Sequence, residues 1–411
     1  MTLLPRPSPR WLLPRWLLPL LALVAACSTV TPEAETVRLL THDGFVVPQE
    51  SLDAYTDRTG IRVAVLREPS PEAVVELLSR TSESPIADVV LGVDSISLTR
   101  LVREGLVEPY RPIEADRLDP ALMIDDDLVT PVSTLDVCLN VDADFYRPEP
   151  PTEEELEEQA RLEQQLPEGA ELAVPEVDEP TGPQQPTSIL DLTDADHVDQ
   201  FVFPDPVSDR MGQYFLVALW QRFGDDGTGG DSWKTVMLDL LRNGAEVAPS
   251  WRDAYFGSFS QGSADGERRV VLASAGMPEV TARLRFEPPE LLETEVIDDG
   301  CLTVVNYAGI VAGTDLRRDA GRLVDTIVTP EFQFFLSDDR GSRPARADLI
   351  IPELVEQYGV DVDAQVVFPG VDDEFVDALV LSFRELQLEA EQPVPETTVP
   401  TDGTDTESDG A

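Results

Sequence analysis

The near-continuous apolar run Ala87-Asp88-Val89-Val90-Leu91-Gly92-Val93 constrains this chain most. It has the length of a strand rather than a helix, and its side chains are apolar on both sides of the pleat. Such a strand is stable only if both of its faces are covered, as in a sheet sandwiched between helices. The segments around it agree. Val37-Arg38-Leu39-Leu40 reads as a strand entering Thr41-His42-Asp43-Gly44-Phe45. A helix is expected over 49–59, stopped by Gly60 at the position that favours glycine. Ile61, Val63 and Val65 alternate with Arg62 and Ala64 at strand period. Ser70-Pro71 opens a helix with Pro71 in its first turn and a core stripe of Val74, Val75, Leu77 and Leu78. After the apolar strand, 97–103 returns to helix and closes at Gly105.

Strands alternating with helices of this length predict an α/β fold with largely parallel sheets. Ligands of such sheets sit beyond the carboxyl ends of the strands. That places His42 and Asp43, and also Asp94, at the expected site.

The N-terminus predicts export. Arg6, Arg10 and Arg15 precede an apolar run over 16–26 that ends in Val24-Ala25-Ala26-Cys27. The run is shorter than the roughly 20 residues that span a bilayer. Its end resembles a bacterial lipobox, in which the cysteine is acylated and anchors the mature protein outside the cytoplasm, on a periplasmic or cell-surface face. Cys138 and Cys301 then remain in an oxidising compartment, and a disulfide between them is expected. In the chain-entropy account such a long loop would contribute roughly 4–5 kcal/mol. About 385 residues follow the signal, more than one compact core holds and enough for two lobes.

The formal net charge is −49, with one lysine, Lys234. Nucleic-acid phosphates would be repelled, so that partner class is excluded. Residues 148–187 form an acidic insertion: from Glu149 to Glu179 there are twelve acids, one arginine and no aromatic residue. It buries too little apolar surface to fold and is expected to be disordered or weakly helical. The tail over 391–411 has the same character. Between them lies a second α/β region, with strands at 201–203, 269–274 and 303–306. Helices are expected over 209–223, capped by Ser208 or Asp209, after Asp231, over 317–336 and over 372–388.

In order and spacing these pieces resemble the thiamine-binding periplasmic proteins of ABC transporters. The most specific are Leu40-Thr41-His42-Asp43-Gly44-Phe45, the run from Ala87 to Asp94, Glu104-Gly105-Leu106-Val107-Glu108-Pro109-Tyr110 and Ser250-Trp251-Arg252-Asp253-Ala254-Tyr255. Val137-Cys138-Leu139-Asn140 and the stretch from Gly300-Cys301 to Gly309 are similar to the cysteine-containing members. The resemblance implies two mixed, mostly parallel lobes joined by crossing strands, with the solute enclosed between them and delivered to a membrane permease by a monomer. It divides the chain into a signal (1–26), a tether (27–36), a first lobe (37–135 and 307–345), a second lobe (136–306) and C-terminal helices (346–390). No cofactor is implied; thiamine would be cargo.

Thiamine carries a cationic thiazolium, a flat aminopyrimidine and a hydroxyethyl arm. A cleft for it calls for carboxylates, ring faces and hydroxyls or helix-terminal amides. The candidates are Asp43 and Asp94 for the cation, Trp251 and Tyr255 for the rings, and Ser208, Ser274 and His42 for polar contacts. Asp94 and Ser208 serve equally well as helix caps, and the two aromatics as core. The chain departs from the family at Gly44, at Ala273-Ser274 and at Arg340-Gly341-Ser342-Arg343-Pro344. This leaves the ligand open between thiamine, a thiamine phosphate and a related cationic heterocycle.

Three other functions compete with a thiamine carrier. An enzyme is disfavoured, since only His42 and His197 are available and no nucleophile elbow, zinc-binding His-Glu-x-x-His or phosphate loop is present. An iron carrier of the same fold would commonly use paired tyrosines, and no adjacent tyrosines occur. A surface scaffold that has lost its ligand is the third.

Overall fold

Val89, Val90, Leu91 and Val93 lie in a strand with no exposed surface, and the first lobe is arranged around it. The computed structural model describes residues 35–124, 127–147, 161, 184–225, 231–283, 293–336, 341–349, 362, 364–366 and 371–393. The export signal with Cys27, nearly all of the acidic insertion and the end of the tail lie outside the described residues. Among the described residues no helix is long and apolar enough to cross a membrane.

The first lobe begins with β1 (Thr36–His42), α1 (Gln49–Thr59), β2 (Arg62–Glu68), α2 (Pro71–Arg80), β3 (Val89–Asp94), α3 (Ser95–Arg103) and the short β4 (Val107–Glu108). Each stop has a local cause. Gly60 takes a left-handed φ of 73° and donates its N–H to Thr56, ending α1. Ser70 accepts the Ala73 N–H and places Pro71 at the first position of α2, where its missing N–H is not needed. β2, β1 and β3 run parallel in that order. Leu39 packs on one face of this sheet with Val89 and Leu91, and Leu40 on the other with Val90 and Val93. One strand therefore feeds two helix-covered cores.

Two long strands, β5 (Thr130–Asp142) and β9 (Thr294–Val311), pair antiparallel and run from one lobe into the other. β9 borders β3 in the first lobe, and β5 borders β8 (Val270–Ser274) in the second. The second lobe continues through β6 (Phe201–Pro204) to β7 (Glu246–Ala248), so the sheet order is β2-β1-β3-β9-β5-β8-β6-β7. In β6, Phe201 and Phe203 face the larger core of this lobe, and Val202 faces the smaller. β10 (Arg343–Pro344) and β11 (Gln365–Val366) add to β5 and β9. The pairing of β5 with β9 shifts register between Val137 and Leu139. Cys138, at that shift, is bonded to Cys301.

The larger helices are α4 (Arg210–Phe223), α5 (Trp233–Arg242), α6 (Met277–Arg283), α7 (Arg317–Ile327), α8 (Pro330–Leu336) and α9 (Asp373–Ala390). Two expectations need correction. The helix foreseen over 317–336 is two helices, because Pro330 lacks an N–H and opens α8 instead of continuing α7. The cap of α5 is Ser232, whose hydroxyl accepts the Thr235 N–H, and not Asp231. The three-residue helix Trp251–Asp253 runs into a wider π turn, Ala254–Ser258, and Trp251 packs against the core cluster that holds Tyr255.

Candidate functional site

The carboxyl ends of β1 and β3 point toward the carboxyl end of β6 and the start of α4, with the crossing strands as a floor. A cavity of about 300 Å³ lies between the lobes there. The first lobe contributes His42, Phe45 and Ser70, the second Ser208, Met211 and Trp251, and the crossing strands Ser133 and Asn306.

His42 is held at the end of β1, where its Nδ1 accepts the Gly44 N–H at 3.1 Å and its ring meets Phe45 edge-on. Ser208 donates its hydroxyl to the Pro249 carbonyl at 3.0 Å. Ser274 sits at the cleft floor, donating to the Gly341 carbonyl and accepting the Gly276 N–H, both at 3.2 Å. Trp251 is half-buried on the cleft wall, with the Arg252 guanidinium 5.3 Å from its ring centre. These four are the expected site residues that the fold brings together.

The other three stand elsewhere. Asp43 is exposed in the turn after β1 and is absent from the cleft wall. Tyr255 is fully buried in the smaller core of the second lobe, its hydroxyl 2.8 Å from that of Thr281. Asp94 is fully buried and its carboxylate is taken. It accepts the Ser97 N–H at 2.8 Å, capping α3, and the Tyr214 hydroxyl at 2.8 Å. Arg210 closes on it with Nε 2.7 Å from one oxygen and Nη2 3.0 Å from the other. Burial alone would raise the Asp94 carboxyl; the Arg210 charge and these hydrogen bonds outweigh it and hold the group below its ordinary value. The expected partner for a cation is therefore already neutralised by a cation of the protein.

Sequence reading missed Arg210 and Tyr214. Asp209, rather than Ser208, caps α4, with one oxygen on the Met211 N–H and the other on the Trp251 N–H. Arg210 and Tyr214 are four apart on α4, so they share a face. An arginine and a tyrosine at that spacing on a helix whose middle is apolar were the available signal. Among the described residues no group of three or more His, Cys, Asp and Glu is placed to hold a metal ion.

No protein-family model and no curated relative matches this sequence. Solved structures do match in shape. The periplasmic thiamin binding protein superposes with a TM-score of 0.62 at 16% identity, covering 86% of this chain and 96% of that one. Iron-bound HitA from Pseudomonas aeruginosa gives 0.61 at 15%, covering 86% and 99%. The fold is that of the two-lobed periplasmic binding proteins. AfuA from Actinobacillus pleuropneumoniae, a periplasmic binding protein with fructose-6-phosphate bound, matches at 0.56 and 14%, covering 86% and 99%. At these identities the likeness shows the binding-protein fold alone, so the ligand has to be argued from the cleft itself.

Proposed function

We propose that this chain is the solute receptor of an ABC importer, a carrier and not an enzyme. In this reading it is lipid-anchored at Cys27 on the extracytoplasmic face, acts as a monomer and delivers thiamine or a thiamine phosphate to a membrane permease. The observation that carries it is the cleft between the lobes. Its volume of about 300 Å³ is at the small end of ligand sites, and its wall combines the rings of Trp251, Phe45 and Tyr214 with hydroxyls and an amide from Ser70, Ser133, Ser208, Ser274 and Asn306. Such a lining suits a small organic solute with a flat ring and a hydroxylated or phosphorylated arm. A bare ferric ion would call for a tight group of anionic ligands, which the described cleft residues do not supply. With Asp94 engaged by Arg210, a thiazolium would be met by the Trp251 face and not by a free carboxylate.

The test is calorimetric titration with thiamine, thiamine monophosphate and thiamine diphosphate, with ferric citrate and fructose-6-phosphate as rivals. One-to-one binding of a thiamine species supports the reading. Binding of ferric citrate or fructose-6-phosphate alone would replace the ligand, and no binding by any of the five would favour a scaffold. In the binding-competent case Trp251→Ala is expected to weaken affinity about tenfold, the equivalent of about 1.4 kcal/mol of lost ring contact. An unchanged affinity would remove Trp251 from the site.

A further inference from the structure

Arg210 lines the cleft and also ties three parts of the molecule together. Its side chain is 15% exposed. On the first lobe it holds Asp94 through two nitrogens and the Ser97 hydroxyl at 3.0 Å. On its own helix in the second lobe it holds Gln213 at 2.7 Å. On α9 it holds Asp373 at 2.9 Å, and Asp373 in turn accepts the Ser97 hydroxyl. The start of α9 is pinned to the first lobe a second time, by the Arg103–Asp372 ion pair and by the Thr99 hydroxyl on the Val371 carbonyl. Its body packs on the second lobe, Phe383 against Phe203 and Phe375 against Trp220.

Two crossing strands by themselves make a hinge about which lobes can swing. Any such swing would drag Arg210 across Asp94. Separating the two breaks a two-point charged contact and leaves the fully buried Asp94 carboxylate without its counter-ion, which is unfavourable. We propose that Arg210 is a positioning residue: clamped between Asp94 of the first lobe and Asp373 of the C-terminal helix, it fixes the angle at which the lobes meet and so the width of the cleft it lines. The proposal rests on the cleft being the solute site, but its test needs no solute.

The experiment measures the distance between spin labels on Asp57→Cys in α1 and Asp239→Cys in α5, both exposed positions. The host is the full-length chain carrying Cys27→Ser, held in detergent. Arg210→Met is expected to shift the mean distance and broaden its distribution while circular dichroism keeps the same helical signal. Arg210→Lys, which cannot serve Asp94 at two points and Asp373 at once, is expected to broaden it less. A folded Arg210→Met chain with the distribution of the unsubstituted protein would overturn the proposal. Should that variant fail to fold, an unchanged distribution in Arg210→Lys overturns it instead. Failure of every solute to bind would sink the carrier reading and leave this distance result standing.

Discussion

The backbone N–H of Trp251 donates to Asp209 Oδ2 at 2.8 Å, while Oδ1 of the same carboxylate accepts the Met211 N–H at 2.9 Å. One side chain thus closes the start of α4 and fixes the ring that faces the cleft. Removing it exposes an uncapped helix end and frees the Trp251 backbone. Asp209→Ala is expected to lose about 1–2 kcal/mol of stability in urea unfolding and to move the tryptophan emission of the native state. A variant as stable as the parent would show that neither contact matters.

Asp94 and Arg210 form a largely buried pair, with the Asp94 side chain fully buried and that of Arg210 15% exposed. Asp94→Asn leaves the guanidinium with Asp373 as its remaining ion-pair partner among the described residues and is expected to cost about 3–5 kcal/mol. The parent's own acid response follows from the same pair. Because the Asp94 carboxyl is held below 3.8, its contribution is present above that value and is lost only as pH falls through the lower, folded-state one. Chemical denaturation of both proteins at neutral pH checks the cost; a difference under about 1 kcal/mol would contradict burial of the pair.

Asp373 behaves in the opposite sense. Burial raises its carboxyl above 3.8, Arg210 pulls against that, and the Asp94 charge pushes the same way as burial. Glu72 on α2 is raised for like reasons, by burial first and then by the charges of Asp373 and Asp377. A raised acid favours folding when protonated, so its contribution is full below the unfolded value and disappears as pH climbs through the folded one. Asp373→Asn, always neutral, is expected to gain stability relative to the parent as pH rises across that window. Melting curves of the two proteins taken from pH 4 to pH 8 decide it: a constant gap means Asp373 does not titrate there.

Gly276 and Gly341 meet backbone to backbone beside Ser274. A Cβ on Gly276 would overlap the Gly341 main chain, and Gly341 has a left-handed φ of 64° that disfavours any side chain of its own. Gly276→Ala is expected to destabilise by about 1–3 kcal/mol through overpacking. Thermal unfolding measures it, and an unshifted transition would mean that the two segments part easily.

Local rules made much of the scaffold legible. The doubly buried β3, the stop of α1 at Gly60 and the opening of α2 at Ser70-Pro71 each depend on residues a few positions apart, so a linear reading finds them. The positions of His42 and Trp251 on the cleft wall were legible from strand ends and from family-like segments. The roles of Asp94 and Tyr255 were not, because an aspartate after a strand looks the same whether it awaits a ligand or meets an arginine 116 residues away.

What the sequence alone determined was therefore the alternation of strands and helices, and the expectation of two lobes. Periodicity and capping are short-range and survive without a partner. Only the tertiary structure decided which charges are spent inside the protein and which surfaces face the cleft. It set Arg210 against Asp94, placed Tyr255 in the smaller core of the second lobe and drew Asp373 onto Arg210. Those outcomes depend on distances between segments far apart in the chain, and in a low-dielectric interior such distances determine whether a charge is a ligand contact or a strut.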